Sequence, residues 1–260
     1  MAALKSETTV YDPQDSMVKS NTVPVTKGAV QGIDVSHHQG AIDWEKVKND
    51  GIEFAIIRAG WGTNGKDKQF ESNYLGCKRM GIPVGVYLYS YASNAKTALE
   101  EAKHFESLLK GKEFDLPVFL DIEEKDAFAS GHSNEIVDTF CSYLEGKGFY
   151  VGVYCSKSYL NSHLTNVTSR WAGWVAQWAD KCTYSQPYLL WQYSSKGRVA
   201  GINGYVDLDQ FASDGAFQTV QNVIHERGYN GIPKLVQEPE IPKKHIVVTI
   251  DDAIVVDSYF

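Results

Sequence analysis

The chain has no long apolar run, few cysteines and no basic excess, and each lack removes a class of function. No stretch approaches the roughly 20 consecutive apolar residues of a membrane-spanning helix, so membrane insertion is not expected. The opening residues, MAALKSETTVYDPQDSMVKSN, have no basic start followed by a continuous apolar run, so no secretory signal is read there. Lysine and arginine number 25 against 32 acidic residues, a net charge of -7, which leaves no basic footprint for nucleic acid or anionic lipid. The four cysteines, Cys77, Cys141, Cys155 and Cys182, form no CxxC pair and are read as buried free thiols. Neither GxSxG nor a phosphate-cradling glycine loop occurs, so serine hydrolysis and nucleotide chemistry lack support. His37 and His38 are adjacent without an HExxH helix, so no metal and no cofactor is expected.

What is present is ordinary globular composition. A chain of 260 residues, 43% hydrophobic and 22% charged, can bury one large core. Residues 1–28 are polar and aperiodic, with Pro13 and Pro24, and read as a loosely docked arm. From there strand-like and helix-like stretches alternate: GIDVS with DWEKVKNDG, FAIIRAG with FESNYLGCKRMG, PVGVYLYSYA with NAKTALEEAKHFESLL, PVFLDIE with NEIVDTFCSYLEGKG. Their strands are apolar on both faces, as in a parallel sheet covered by helices. After FYVGVYCS the strands WAGWVAQWA, YLLWQYS and YVDLDQF leave little room for helices. The expected fold is therefore α/β, a modified TIM-like (β/α) barrel over 29–216 with a helix-poor last section. Residues 217–260 are expected to be a linker and a short C-terminal β-hairpin tail around Asp251 and Asp252, serving docking on the barrel, homo-oligomer or virion assembly, or forming the start of a truncated module.

Four acids carry the chemistry. In VFLDIEE, Asp121 and Glu123 are two apart at the end of an apolar strand and so face one side. Parallel β/α folds place active residues at the C-terminal strand ends. Asp34, in GIDVSHHQG, ends the first strand, and Asp207, in GYVDLDQF, lies on the last. First and last strands of a barrel are neighbours, so closure brings Asp34 beside Asp207, facing Asp121 and Glu123 across the mouth. A lone aspartate is more often a helix cap or a surface ion pair, but four at one mouth push their pKa values apart. One is then held protonated while others stay ionised, the division of labour that glycosidic cleavage needs.

Flat apolar rings suit a sugar. Trp61 follows a strand, Tyr87, Tyr89 and Tyr91 occupy YLYSYA, and Trp174, Trp178, Trp191 and Tyr193 crowd the late strands. About half would serve core packing instead. Tyr89, Trp191 and Tyr193 are the binding candidates read from the strands.

These segments, GIDVSHHQG, FAIIRAGWG, GVYLYSYA, VFLDIE, VGVYCSKSYL, WVAQW, LLWQYS and VDLDQF, in this order closely resemble glycoside hydrolase family 25 over about residues 29–213. That family contains the Chalaropsis-type lysozymes and many phage endolysins. The resemblance implies a retaining muramidase that cuts the β-1,4 bond between N-acetylmuramic acid and N-acetylglucosamine in peptidoglycan. It implies Glu123 as proton donor, Asp121 as its assistant, Asp34 and Asp207 completing the acidic site, and Arg58, Tyr89, Trp191 and Gln192 along the sugar groove. Many relatives carry asparagine where this chain has Asp209, and Asp207 is taken as the acid that faces the site. Two routes stay open: a carboxylate nucleophile, or attack by the substrate's N-acetyl group held by Asp121. The expected setting is a phage endolysin or virion lysin reaching the wall through a holin, lysis or virion delivery. The rival reading is a non-catalytic wall-binding or virion structural protein on the same barrel.

Overall fold

In a computed structural model the described residues are 30–227, with the short strands Val23–Pro24, Thr249–Ile250 and Ile254–Val255. Eight strands form one closed ring: β1 (Gln31–Val35), β2 (Phe54–Trp61), β3 (Val84–Tyr89), β4 (Val118–Asp121), β5 (Val151–Ser156), β6 (Ala172–Ala176), β7 (Leu190–Gly197) and β8 (Val206–Phe211). Between β1 and β6 the chain returns through helices α1 (Trp44–Asn49), α2 (Phe70–Met80), α3 (Ala95–Leu109), α4 (Lys125–Ala129), α5 (Ser133–Glu145) and α6 (Lys157–Ser162). No α-helix separates β6 from β7 or β7 from β8, which is the helix-poor section expected from the sequence.

One strand departs from the expected parallel sheet. β8 runs antiparallel to both β7 and β1, while the remaining neighbours pair parallel. The physical reason is the short link between Gly197 and Val206: a parallel return needs a crossover of a dozen or more residues, whereas an antiparallel neighbour needs only a turn. Because β8 is reversed, its start, not its end, lies at the mouth where the other strands finish.

Inside the ring the two-residue period of each strand sorts side chains by depth. Phe54, Phe119, Leu190 and Phe211 belong to the interior cluster, with Ile56, Tyr87, Tyr154 and Trp174. Small residues make this possible: a Cβ on Gly32 would come within 2.3 Å of the Phe54 ring, and one on Gly152 within 2.4 Å of Phe119. A second, larger cluster between the ring and the helices contains Trp44, Phe70, Phe105, Phe140 and Trp191.

The last helix, α7 (Asp214–Arg227), lies at the end of the barrel away from the mouth. Val220 and Ile224 are buried in the interior cluster, and the Phe217 ring stands 4.9 Å from Phe211. The expected boundary at 216 therefore falls inside a helix whose apolar face closes the barrel floor. Thr249–Ile250 and Ile254–Val255 pair antiparallel as a hairpin. Asp251, Asp252 and most of the 217–260 tail expected to serve assembly lie outside the described residues, as does most of the 1–28 arm. Within that arm, Val23–Pro24 pairs with the short strand Lys181–Cys182. The four cysteines are buried free thiols.

Candidate active site

Continuing each inward-facing series toward the mouth replaces apolar side chains with polar ones. Beyond Ile56 comes Arg58, beyond Tyr87 comes Tyr89, beyond Phe119 come Asp121 and Glu123, and beyond Leu190 comes Gln192. On reversed β8 the order runs from Asp207 at the mouth through Asp209 to Phe211 at depth. Asp207 is the direct partner of Asp34 across the β8–β1 pair, so closure joins the two as the sequence implied. All four expected acids line one cleft of about 440 Å³, with Arg58, Tyr89 and Gln192.

Burial sets the protonation of these acids. Asp34 is 6% exposed, and desolvation, followed by the charges of Asp209 and Asp207, pushes its carboxyl well above the usual range. Desolvation and then the charge of Glu123 do the same to Asp121, with Arg58 acting in the opposite sense. Glu123 opens onto the cleft, yet the walls around it still weaken its hydration and raise its pKa. Tyr89, whose hydroxyl donates to the adjacent Glu124, opposes this, while the charge of Glu124 adds to it. Asp207 is lifted to about 6 by desolvation and the charge of Glu123.

A continuous hydrogen-bond chain anchors the floor. Tyr154 Oη donates to Gln192 Oε1 at 3.0 Å, and Trp178 Nε1 donates to the same oxygen at 3.0 Å. With its carbonyl so engaged, the Gln192 amide turns its Nε2 to Asp34 Oδ2 at 2.7 Å. On the rim, Ser36 and Gln39 form a reciprocal capping box around the 3-10 turn His37–Gln39 and so fix the segment that follows Asp34.

Sequence reasoning missed the residue behind Arg58. Asp67, 1% exposed, accepts hydrogen bonds from Arg58 Nε at 2.9 Å, His37 Nδ1 at 2.9 Å, His37 N at 3.0 Å and Gln69 N at 2.9 Å. It lies in a loop with no motif around it, so nothing local marked it. His37 is thus held by a carboxylate. Among the described residues no group of three or more His, Cys, Asp or Glu is gathered to hold a metal.

Three aromatic expectations need correction. Trp191 is fully buried, its indole donating to Gln177 O at 2.7 Å within the outer core, because Gln192 takes the inward direction on β7 and its neighbours must face out. Tyr193 follows the same parity. It donates to Gln31 Oε1 at 2.8 Å and lines a separate open recess with Trp178 and Ala179. Trp61 sits outside the cleft with the Arg58 guanidinium 5.4 Å from its ring. The rings that do line the cleft are Tyr87, Tyr89, Tyr154, Trp174 and Trp178, the last 64% exposed. Flat apolar faces above carboxyl groups of divided protonation are an arrangement fitted to cleave a glycosidic bond.

Comparison with known proteins agrees with this chemistry. Lysozyme M1 of Streptomyces globisporus is 36% identical over 214 residues, covering 74% of this chain and 71% of that protein. The autolytic lysozyme of Clostridium acetobutylicum is 30% identical over 184 residues, covering 70% of this chain and 56% of its own length. Among solved structures, the bacterial lysozyme of Streptomyces coelicolor superposes with a TM-score of 0.66 at 29% identity, covering 78% of this chain and 100% of that one. The catalytic domain of an endolysin from a Listeria monocytogenes bacteriophage gives 0.64 at 26%, covering 75% and 98%. The pattern of glycosyl hydrolases family 25 matches residues 33–202, and the chain belongs to that family.

Proposed function

We propose that this protein is an N-acetylmuramidase that hydrolyses the β-1,4 bond between N-acetylmuramic acid and N-acetylglucosamine in bacterial peptidoglycan. The observation that carries the reading is Glu123, an acid of raised pKa open to an aromatic cleft, beside the buried carboxyls of Asp121 and Asp34 and the half-buried carboxyl of Asp207. A half-exposed carboxylic acid whose raised pKa makes it hold its proton longer than an ordinary glutamate can protonate the leaving oxygen, and a buried carboxyl beside it can hold or stabilise the developing positive charge. Asp121 Oδ1 is buried and meets no donor among the described residues, which leaves it free to take a hydrogen bond from a bound substrate group. That supports the route in which Asp121 orients the substrate's N-acetyl group.

Within this reading the protein acts as a phage endolysin or virion lysin, reaching the wall after release from the producing cell. Similarity to the Listeria phage endolysin domain supports that setting. Purified Gram-positive walls, assayed for reducing-end release with mass spectrometry of the fragments, test the activity. Disaccharide units ending in reducing N-acetylmuramic acid are the expected product. Binding to walls without cleavage of any wall tested would instead establish the non-catalytic reading.

A further inference from the structure

Asp209 does not line the cleft and has no part in the mechanism above, yet it is one of the most deeply buried acids in the protein, at 0% exposure. One oxygen, Oδ1, accepts from Trp174 Nε1 at 2.8 Å. The other, Oδ2, is buried and meets no N–H or O–H donor. The Asp34 carboxyl lies one step toward the mouth on the adjacent strand, and the two acids perturb each other's ionisation. Two carboxylates cannot hydrogen-bond without a proton between them, since both are acceptors only. Asp34 in turn takes its remaining donor from Gln192 Nε2.

We infer that Asp34 and Asp209 share a proton, and that Asp209, as the neutral hydrogen-bond partner beneath Asp34, is a positioning residue for the cleft. The inference rests on the hydrolase reading only for its effect on catalysis.

The surroundings favour the protonated pair from every side. Asp34 and Gln192 face Asp209 from β1 and β7, and Trp174 faces it from β6. Its own strand adds a second acid, Asp207, whose charge opposes ionisation, and the Tyr193 hydroxyl also feels the Asp209 charge. Arg58, the cation on the cleft wall, acts on Asp121. Desolvation, the largest influence on both members of the pair, raises both. Loss of the shared proton would leave two anions in contact in a dry barrel, so the pair would separate and Asp34 would lose its fixed orientation.

The test uses the full chain as wild type, Asp209→Asn and Asp209→Leu. Asparagine keeps a permanent N–H for Asp34 and an acceptor for Trp174, but it has no proton to lose; leucine supplies neither. At neutral pH the infrared spectrum of Asp209→Asn should lack a protonated-carboxyl band that wild type shows and that disappears from wild type on alkaline titration. Melting temperature gives a second readout independent of activity. A carboxyl whose folded pKa is raised loses its stabilising contribution as pH rises toward that value, so Asp209→Asn should gain on wild type between acid and alkaline pH. On wall substrate, Asp209→Asn should stay active at neutral pH while Asp209→Leu falls roughly tenfold or more, because two buried polar groups lose their partner. An unchanged carboxyl band, or a melting difference independent of pH, would overturn the shared proton whether or not the protein cleaves walls. An inactive Asp209→Asn on a wall that wild type cleaves would overturn the positioning role.

Discussion

Asp34 and Asp207 stand directly opposite each other across the antiparallel pair that closes the barrel. Like charges in that position ordinarily destabilise a sheet. Here burial lifts both carboxyls, Asp207 to about 6 and Asp34 well above the usual range, so two full charges need not face each other, and the reversed last strand sets that chemistry at the mouth. Family membership and local geometry thus converge on one cleft, and its residues separate into those that react, those that hold and those that merely pack.

In the proposed function Glu123 is the reacting acid. Glu123→Gln removes the proton donor while keeping the shape of the side chain, so wall hydrolysis should fall by roughly 10²–10⁴-fold with an unchanged melting temperature. Reducing-end release alongside a circular-dichroism melt checks both. Near wild-type hydrolysis would place the acid elsewhere.

The neighbouring Glu124 tunes that acid. Its negative charge helps to raise the Glu123 pKa, and it also accepts from Tyr89 Oη at 2.8 Å. Glu124→Gln keeps an acceptor for the tyrosine but removes the charge, so Glu123 should release its proton more readily. Activity carried by the protonated form is lost as pH rises through the Glu123 pKa, and the alkaline limb of kcat/KM should therefore move to lower pH. A limb that stays in place, or moves up, would mean that another group governs it.

Much of this was legible in the sequence, for identifiable reasons. The alternation of strands and helices gave the barrel, and the spacing of Asp121 and Glu123, two apart at a strand end, gave their common side. Closure of the ring then supplied the Asp34–Asp207 neighbourhood. Strand direction was not legible, because an apolar segment reads alike both ways and only the short link before Val206 distinguishes them. Nor was the facing of the late aromatics, since the Leu190–Gly197 strand is apolar on both sides at its start and parity needs one residue of known direction. Asp67 was invisible because its partners, His37 and Arg58, come from distant segments.

The two tryptophans on either side of that parity question should behave in opposite ways. Trp191 is fully buried, so Trp191→Ala should lose about 3–5 kcal/mol of stability to an unfilled cavity. Trp178 is 64% exposed at the cleft, so Trp178→Ala should leave stability nearly unchanged and raise KM for soluble wall fragments. Urea titration and steady-state kinetics on both variants separate the roles. A Trp191→Ala protein that unfolds at the wild-type urea concentration but binds glycan poorly would return Trp191 to the groove.

Asp67 should matter through charge, and its pH signature is distinct from that of the cleft acids. Burial by itself would raise its pKa, but hydrogen bonds from the Gln69 amide, His37 and Arg58 outweigh that and hold the carboxyl below its usual value. A depressed carboxyl contributes stability above its unfolded pKa, and that contribution is lost as pH falls through the folded value. Asp67→Asn leaves Arg58, whose side chain is 11% exposed, without its counter-ion and should cost on the order of 3 kcal/mol near neutral pH. The two proteins should begin to converge below the ordinary aspartate value of about 4 and meet only below the depressed folded pKa, where wild type loses the same charge. Freed from Asp67, Arg58 can also turn toward Asp121, whose ionised form it already favours, so the variant should bind glycan less well even where it stays folded. Melting temperatures from acid to neutral pH, with KM measured on the folded fraction, examine both effects; a stability loss of equal size at every pH would show that Asp67 acts by packing and not by charge.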